Sequence, residues 1–333
     1  MNKRVKKWLD NAKNVSIIYD KDVDGTCAAT LMAILLKKMG KHVEHTKYCK
    51  ELKTINNPAF DQTGKYIILL DVGFTKKELE KLKNKKILFI DHHKTSMGRS
   101  TENITVYKKT EPYTPTTKMV YDLMEDETYD WIGAAGTIAD YGGEQHKKFI
   151  EKTLEKYNMK ITQPPYFDTK LGEIAEVINS LRIGWENMNK GIKALTQSQN
   201  PKEFLKKENY LTREVYKVHE KVKQEIENAL DDFEKKKEQK GNRIFYSMGR
   251  TKYNLRSTIC TILTTHYPTK IIAIAQESMN KTGISLRSRN GDVTEIIKNM
   301  KKHMKLEGGG HKTAAGITIS AEDLKTFQEY FLA

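Results

Sequence analysis

The apolar positions of the chain fall into three stretches of different texture. Between Val15 and about Tyr141, short unbroken apolar runs alternate with segments that repeat every three or four residues. The runs are VSIIYD, ending at Asp20, YIILLD, ending at Asp71, and KILFID, ending at Asp91. Unbroken β-branched and aliphatic runs suit strands buried on both faces, and their alternation with helical patterns predicts a parallel sheet. The segment from Gly25 to Met39 is apolar at helical spacing and stops before Gly40, as a capped helix does. A second helix is expected from Pro115 through Met124, after a turn or lid at Glu111-Pro112-Tyr113-Thr114-Pro115. WIGAAGTIAD then reads as a tightly packing small-residue helix that breaks at Gly142-Gly143.

From about Thr169 to Lys240 the pattern is helical almost throughout. Tyr216, His219, Val222, Ile226, Ala229, Leu230 and Phe233 recur at spacings of three or four on a heavily charged helix that ends before Gly241. Beyond Arg243, RIFYSMG, TKIIAIAQ, KTGISLRSRN and AGITIS read as strands, interrupted by two helical segments, YNLRSTICTILTTHY and TEIIKNMKKHM. The expected class is α/β: a parallel-sheet domain over 1–190, a helical connector over 191–241, and a smaller α+β domain with a mixed sheet over 242–333. The active site is expected in the cleft between the two domains.

A chain of 333 residues is long enough for two cores, because single domains usually stop growing below about 250–300 residues. The formal charge of +15 favours a polyanionic partner such as nucleic acid. Cys27, Cys49 and Cys260 are scattered and indicate neither a disulfide framework nor a thiolate zinc site, which points to a reducing cytoplasm. The basic start, MNKRVKKWLDNAKNV, lacks an apolar signal region, and LMAILL is too short to span a bilayer, so no membrane association is expected.

Parallel strands place their C-terminal ends along one rim, where open α/β folds bind ligands. There, Asp20-Lys21-Asp22-Val23-Asp24-Gly25 sets three carboxylates at alternate positions, and alternate side chains of an extended segment share a face. The spacing also opens a calcium loop. However, the acidic ligand required at the twelfth loop position falls among Ala, Thr, Leu and Met, and the segment follows a strand rather than a helix. Asp71 taken alone is more often a helix cap or turn former than a ligand. Asp91-His92-His93 is harder to explain by packing, and mixed carboxylate and imidazole donors suit manganese, iron or cobalt. Asp140, at the end of the small-residue helix, is placed to close the set.

These four elements, in this order, resemble the motifs of the DHH phosphoesterase superfamily. The C-terminal stretch resembles its DHH-associated domain: Gly308-Gly309-Gly310-His311-Lys312-Thr313-Ala314-Ala315-Gly316 matches GGGHxxAAG, and Ser285-Leu286-Arg287-Ser288 stands in place of SxRS. The resemblance implies a catalytic metal-binding domain over 1–190 and a substrate-binding domain over 242–333. It implies two divalent ions, manganese preferred and magnesium accepted. Their ligands would be Asp22, Asp24, Asp71, His92 and Asp140, with Asp71 bridging, and Asp20 stands where some relatives use histidine. His93 would face the scissile phosphate or its leaving group. Asp91 would orient His92 or the loop.

Arg287, Ser288, Gly308, Gly309, Gly310 and His311 would bind substrate. Three glycines clear side chains from backbone N–H groups, so a phosphate can approach them. A glycine hinge is the alternative for the three glycines alone. The D-x-D-V-D-G form resembles RecJ-like exonucleases of the compact archaeal type, which implies hydrolysis of single-stranded DNA or RNA and contact with replication or repair proteins. The alternatives are a phosphodiesterase acting on very short oligonucleotides, pAp or cyclic dinucleotides, and an inactive replication scaffold.

Overall fold

The computed structural model describes residues 2–49, 60, 63–183 and 188–333. The chain divides into two compact units, Met1–His219 and Glu220–Ala333. The first begins with α1 (Lys3–Asn11), β1 (Asn14–Asp20), α2 (Val23–Lys38), β2 (His42–Cys49), β3 (Tyr66–Leu70), α3 (Lys76–Leu79), β4 (Lys86–Asp91) and β5 (Ile104–Lys108). It continues through α4 (Thr116–Met124), α5 (Asp130–Ala139), α6 (Lys147–Lys156), α7 (Lys170–Ile183), α8 (Met188–Gln197) and α9 (Pro201–Leu205). The unit boundary falls within the next helix, α10 (Tyr210–Lys236). Residues 184–187 of the expected helical middle, and the side chain of Cys49, lie outside the described residues; Cys27 and Cys260 are buried free thiols.

The five strands of the first unit run in the order β2-β1-β3-β4-β5, and all neighbouring pairs are parallel. The order reverses between β1 and β3, which opens a crevice beyond their C-terminal ends. Register decides what lines it. Tyr19 pairs with Leu70 and Leu70 with Ile90, so the next residue of each strand, Asp20, Asp71 and Asp91, falls in one row across three adjacent strands. The three apolar runs are those three central strands. The edge strands β2 and β5, HVEHTKYC and ITVYK, were not expected: an edge strand is buried less fully than a central one, so its sequence need not be continuously apolar.

Helix α2 is buried on nearly every side, against β1, β2, α4, α5 and α8, which explains why its sequence is apolar all round rather than along one stripe. It starts immediately after β1. At Gly25 an added Cβ would stand 2.2 Å from the Asp20 carbonyl oxygen, so only glycine lets the helix leave the strand this tightly. That contact fixes where Asp22 and Asp24 point.

The second unit contains β6 (Glu238–Lys240), β7 (Arg243–Ser247), α11 (Arg256–His266), β8 (Ile271–Glu277) and β9 (Lys281–Ser288). It ends with α12 (Val293–Met300), β10 (Glu307–His311), β11 (Ala314–Ser320) and α13 (Leu324–Leu332). The sheet order is β10-β11-β9-β8-β7-β6, antiparallel except for the parallel pair β7–β8, so the sheet is mixed as expected. Phe245, Ile284, Leu286, Ile317, Phe327 and Phe331 form its core with the apolar side of α12. The glycine-rich segment is a strand, β10, at the sheet edge. Helices α1 and α13 and strand β6 were also unforeseen, α1 and β6 being short and largely polar and α13 short.

Gly25→Ala is expected to destabilise the protein by about 1–3 kcal/mol, the usual cost of forcing a group into a filled space. A urea unfolding midpoint equal to wild type would contradict the close approach of strand and helix.

Candidate metal centre

The aspartates leaving β1 are held by the helices that follow. Asp22 caps α2, its Oδ1 accepting from the Gly25 N–H at 2.8 Å. Asp24, one residue into the helix and almost wholly buried, accepts from the first two N–H groups of α4. Its Oδ2 takes Thr116 N at 2.8 Å and its Oδ1 takes Thr117 N at 2.7 Å. A helix N-terminus offers unpaired N–H donors and partial positive charge, which is what a buried carboxylate needs. Thr117 Oγ1 also donates to the Asp24 carbonyl at 2.7 Å, tying the two helices together.

Asp71 follows β3 with a left-handed φ of 61°, a conformation that aspartate tolerates better than most side chains. Its buried carboxylate accepts from the Thr116 hydroxyl at 3.1 Å. The Nε2 of His92 lies 3.2 Å from Asp71 Oδ1, and Nδ1 lies 3.4 Å from Asp140 Oδ2. That second approach is too poorly directed to be a hydrogen bond, so His92 Nδ1 is a buried nitrogen with no partner. Asp140, at the C-terminal end of α5, is reached by the Tyr113 hydroxyl, which lies 3.0 Å from its carbonyl oxygen and also bonds its carboxylate. His93 points elsewhere: its Nδ1 lies 2.8 Å from the fully buried Asp91, which also accepts from the His93 N–H at 3.2 Å. Asp91 therefore orients His93, rather than His92.

Three donor groups result, each with its ligand atoms within 4.8 Å of one another: Asp20, Asp22 and Asp71; Asp71, His92 and His93; Asp24, His92 and Asp140. Asp71 belongs to two groups, and so does His92. Every expected ligand lies in this cluster. The electrostatics mark it as built for cations. Burial, reinforced by Asp22, pushes Asp20 up to about 6, and burial, with Asp22 adding to it, pushes Asp140 to about 6. Burial and neighbouring carboxylates hold Asp24 and Asp71 well above the ordinary aspartate range. Burial, together with His93, pulls His92 down to about 4, leaving it neutral with a lone pair available at pH 7. Desolvation works against ionisation at Asp91 too, but the hydrogen bond and charge of His93 outweigh it and keep that carboxyl low. The same bond raises His93. Mixed oxygen and imidazole donors around an unpartnered buried nitrogen fit a divalent ion such as manganese.

Tyr113, Thr116 and Thr117 were not identified from the sequence. The only signal was their place, Tyr113 in the turn before α4 and the two threonines at its start, since nothing in a threonine pair announces that its N–H groups face a carboxylate.

In the second unit, Arg287 on β9 is engaged by its own sheet. Its guanidinium donates to the Leu286 and Ala315 carbonyls at 2.8 and 3.2 Å and to Ser257 Oγ at 2.8 Å. Ser288 is buried, and its Oγ accepts from the Gly291 N–H at 2.8 Å, closing the turn after β9. Gly308, Gly309, Gly310 and His311 are exposed along β10, opposite Ile317, Gly316, Ala315 and Ala314. At Gly310 an added Cβ would stand 2.3 Å from the Ala314 carbonyl oxygen, whereas at the paired Gly309 and Gly316 it would meet nothing within 4 Å. Gly310 is thus required by packing, and the other two leave a bare backbone surface.

The model of the DHH family, N-terminal domain, matches residues 14–154, and that of the DHHA1 domain matches residues 241–333. Among solved structures, the chain is similar to RecJ in complex with Mn²⁺ from Thermus thermophilus. The TM-score is 0.72 at 15% identity, covering 98% of this chain and 53% of that one, so this chain spans about half the length of that protein. It is also similar to an exonuclease RecJ bound to manganese, with TM-score 0.70, 15% identity, and 98% and 91% of the two chains covered. A third similar structure is CDC45 from Entamoeba histolytica, with TM-score 0.60, 12% identity, and 98% and 96% covered. Among curated proteins none matches. No helix of the described residues is long and apolar enough to cross a membrane.

Acids raised in the folded state bind protons that the unfolded chain has already lost. The stability they contribute to the metal-free protein is therefore present below about pH 4 and lost as pH rises through about 6 for Asp20 and Asp140. Divalent ions replace those protons. The rise in Tm on adding Mn²⁺ after EDTA treatment is accordingly expected to be small at pH 4 and to grow through pH 6. A rise independent of pH would contradict the assignment of these carboxylates.

Proposed function

Because the chain belongs to the DHH superfamily of phosphoesterases, we propose that it is a metal-dependent exonuclease hydrolysing single-stranded DNA or RNA. The observation that carries this reading is the sharing of Asp71 and His92 among three overlapping donor groups, an arrangement suited to two adjacent ions rather than one. Asp22, Asp24, Asp71, His92 and Asp140 would hold them, with Asp20 at the margin. When bound, such a pair activates water for in-line attack on phosphorus and stabilises the charge that develops on the phosphoryl oxygens.

The chain's own residues supply the geometry. Thr116 and Thr117 fix both oxygens of Asp24, and Thr116 Oγ1 sets the rotation of the Asp71 carboxylate. Tyr113 holds Asp140. His93, half exposed and bonded through Nδ1 to Asp91, keeps a proton on Nε2 and delivers it to the leaving oxygen. In the second unit, the bare backbone at Gly309 and Gly316, with Arg287 and His311, serves a substrate phosphate. The charge of +15 rewards a substrate with many backbone phosphates. Because every ligand position is filled by a donor, the inactive scaffold is disfavoured.

The test is hydrolysis of 5′- and 3′-end-labelled single-stranded DNA, RNA and dinucleotides with Mn²⁺ and with Mg²⁺. Shortening from one end is expected. Cleavage confined to dinucleotides or cyclic dinucleotides would move the assignment to the short-substrate phosphodiesterases, and no cleavage with either ion would favour the scaffold. Asp71→Asn keeps the shape of the side chain and removes its charge; kcat is expected to fall by about 10²- to 10³-fold or more. Turnover within a few-fold of wild type would remove Asp71 from the metal centre.

A further inference from the structure

The residue after Asp140 is a strained and exposed aromatic for which the chemistry above has no use. Tyr141 is 66% exposed and holds a left-handed φ of 57°. That conformation strains most side chains, while glycine and asparagine adopt it readily. Glycines are in fact present at the next two positions, yet the strained and solvated one carries a tyrosine. Beside it stands Phe167, 43% exposed, with ring centroids 5.2 Å apart and planes at 80°.

The partner ring is anchored. Tyr166, immediately before Phe167, is fully buried, its hydroxyl 3.1 Å from Glu151 Oε1. Its ring lies so close to Gly143 that a Cβ there would stand 3.2 Å from Tyr166 Cδ2. The backbone at Gly142 is in turn pressed against Pro115 and Thr137, with 2.8–2.9 Å between an added Cβ and their side chains. Tyr141 and Phe167 thus form a preset corner, open to solvent, on the chain segment that carries Asp140. Two apolar rings gain nothing from water, and their edge-to-face contact leaves ring surface uncovered.

We propose that Tyr141 and Phe167 form a stacking corner for the base of the nucleotide whose phosphate is held at the metal centre. A nucleotide carries its base and its phosphate on one sugar, so a base site is needed next to a phosphate site. Stacking accepts any base, because every base has a π-face, and it excludes duplex, whose faces are already stacked. The inference rests on the nuclease reading above and adds to it the recognition of unpaired bases.

The test measures equilibrium binding, in Mn²⁺, of two non-hydrolysable phosphorothioate single strands of equal length and charge, one with normal bases and one with abasic units at both ends. Wild type is expected to prefer the base-bearing strand by about 5- to 100-fold. Tyr141→Asn, which suits a left-handed backbone, and Phe167→Ala should each reduce that preference, and Tyr141→Phe should retain it. Variants are compared once their Mn²⁺-dependent rise in Tm shows that the centre is intact. Equal affinity of wild type for the two strands, or a full preference kept by the double variant Tyr141→Asn/Phe167→Ala, overturns the corner alone and leaves the nuclease reading in place. A wild type that binds neither strand and cleaves no phosphodiester overturns both.

Discussion

Carboxylates held together out of water repel one another, and the first unit is organised around containing that repulsion. Asp20, Asp22, Asp24, Asp71 and Asp140 converge at the end of the sheet, and burial raises four of the five. The protein offsets part of the cost with neutral donors: two N–H groups of α4 on Asp24, a threonine hydroxyl on Asp71, a tyrosine hydroxyl on Asp140 and the start of α2 on Asp22. Such bonds favour ionisation but bring no full positive charge. No lysine or arginine side chain is bonded to any of these carboxylates among the described residues. The remaining charge therefore calls for something from outside the chain, and divalent cations match the donors on offer.

This constraint also explains why α4 starts where it does. A helix N-terminus aimed at Asp24 offsets part of its charge without filling the space a cation needs, as a lysine would. The turn from Glu111 to Pro115 delivers that N-terminus. Pro115, just before the first helical residue, fits the start of a helix, where a missing N–H costs nothing.

The parts of the fold written in continuous apolar runs were readable directly from the sequence. β1, β3 and β4 are buried on both faces and almost wholly apolar, Ser16 apart, so Asp20, Asp71 and Asp91 stand out as the acids at their C-terminal ends. Edge strands β2 and β5 carry mixed residues and lack that contrast. The candidate ligands were legible only as a set: a strand-end aspartate such as Asp71 is by itself more often a cap, and the order of Asp22, Asp24, Asp71, His92 and Asp140 along the chain is what singles them out. Their supports were not, because Thr116 and Thr117 act through backbone N–H groups that any residue possesses. The glycine segment, for which a hinge was the alternative reading, is a strand in register with β11, and only two of the four glycines there are free of packing demands among the positions facing each other. Low strand propensity yields when a neighbouring strand supplies the hydrogen bonds.

Adjacent histidines show how little sequence distance constrains electrostatics. His92 and His93 share a loop, and their rings meet edge to face with centroids 4.6 Å apart, yet one is driven down and the other up. His92 is buried among acids that themselves favour protons at this depth, and a second cationic ring beside it would be repelled. His93 is half exposed and bonded to Asp91, the one acid of the row held low. Were Asp91 to bond His92 instead, the ring would be held as a cation and its lone pair lost to a metal. Turning Asp91 toward His93 therefore separates the two rings electrostatically: burial leaves His92 neutral with its lone pair free, while the bond to Asp91 favours the protonated form of His93. The extended chain makes this separation possible, since consecutive side chains of a strand end point to opposite sides.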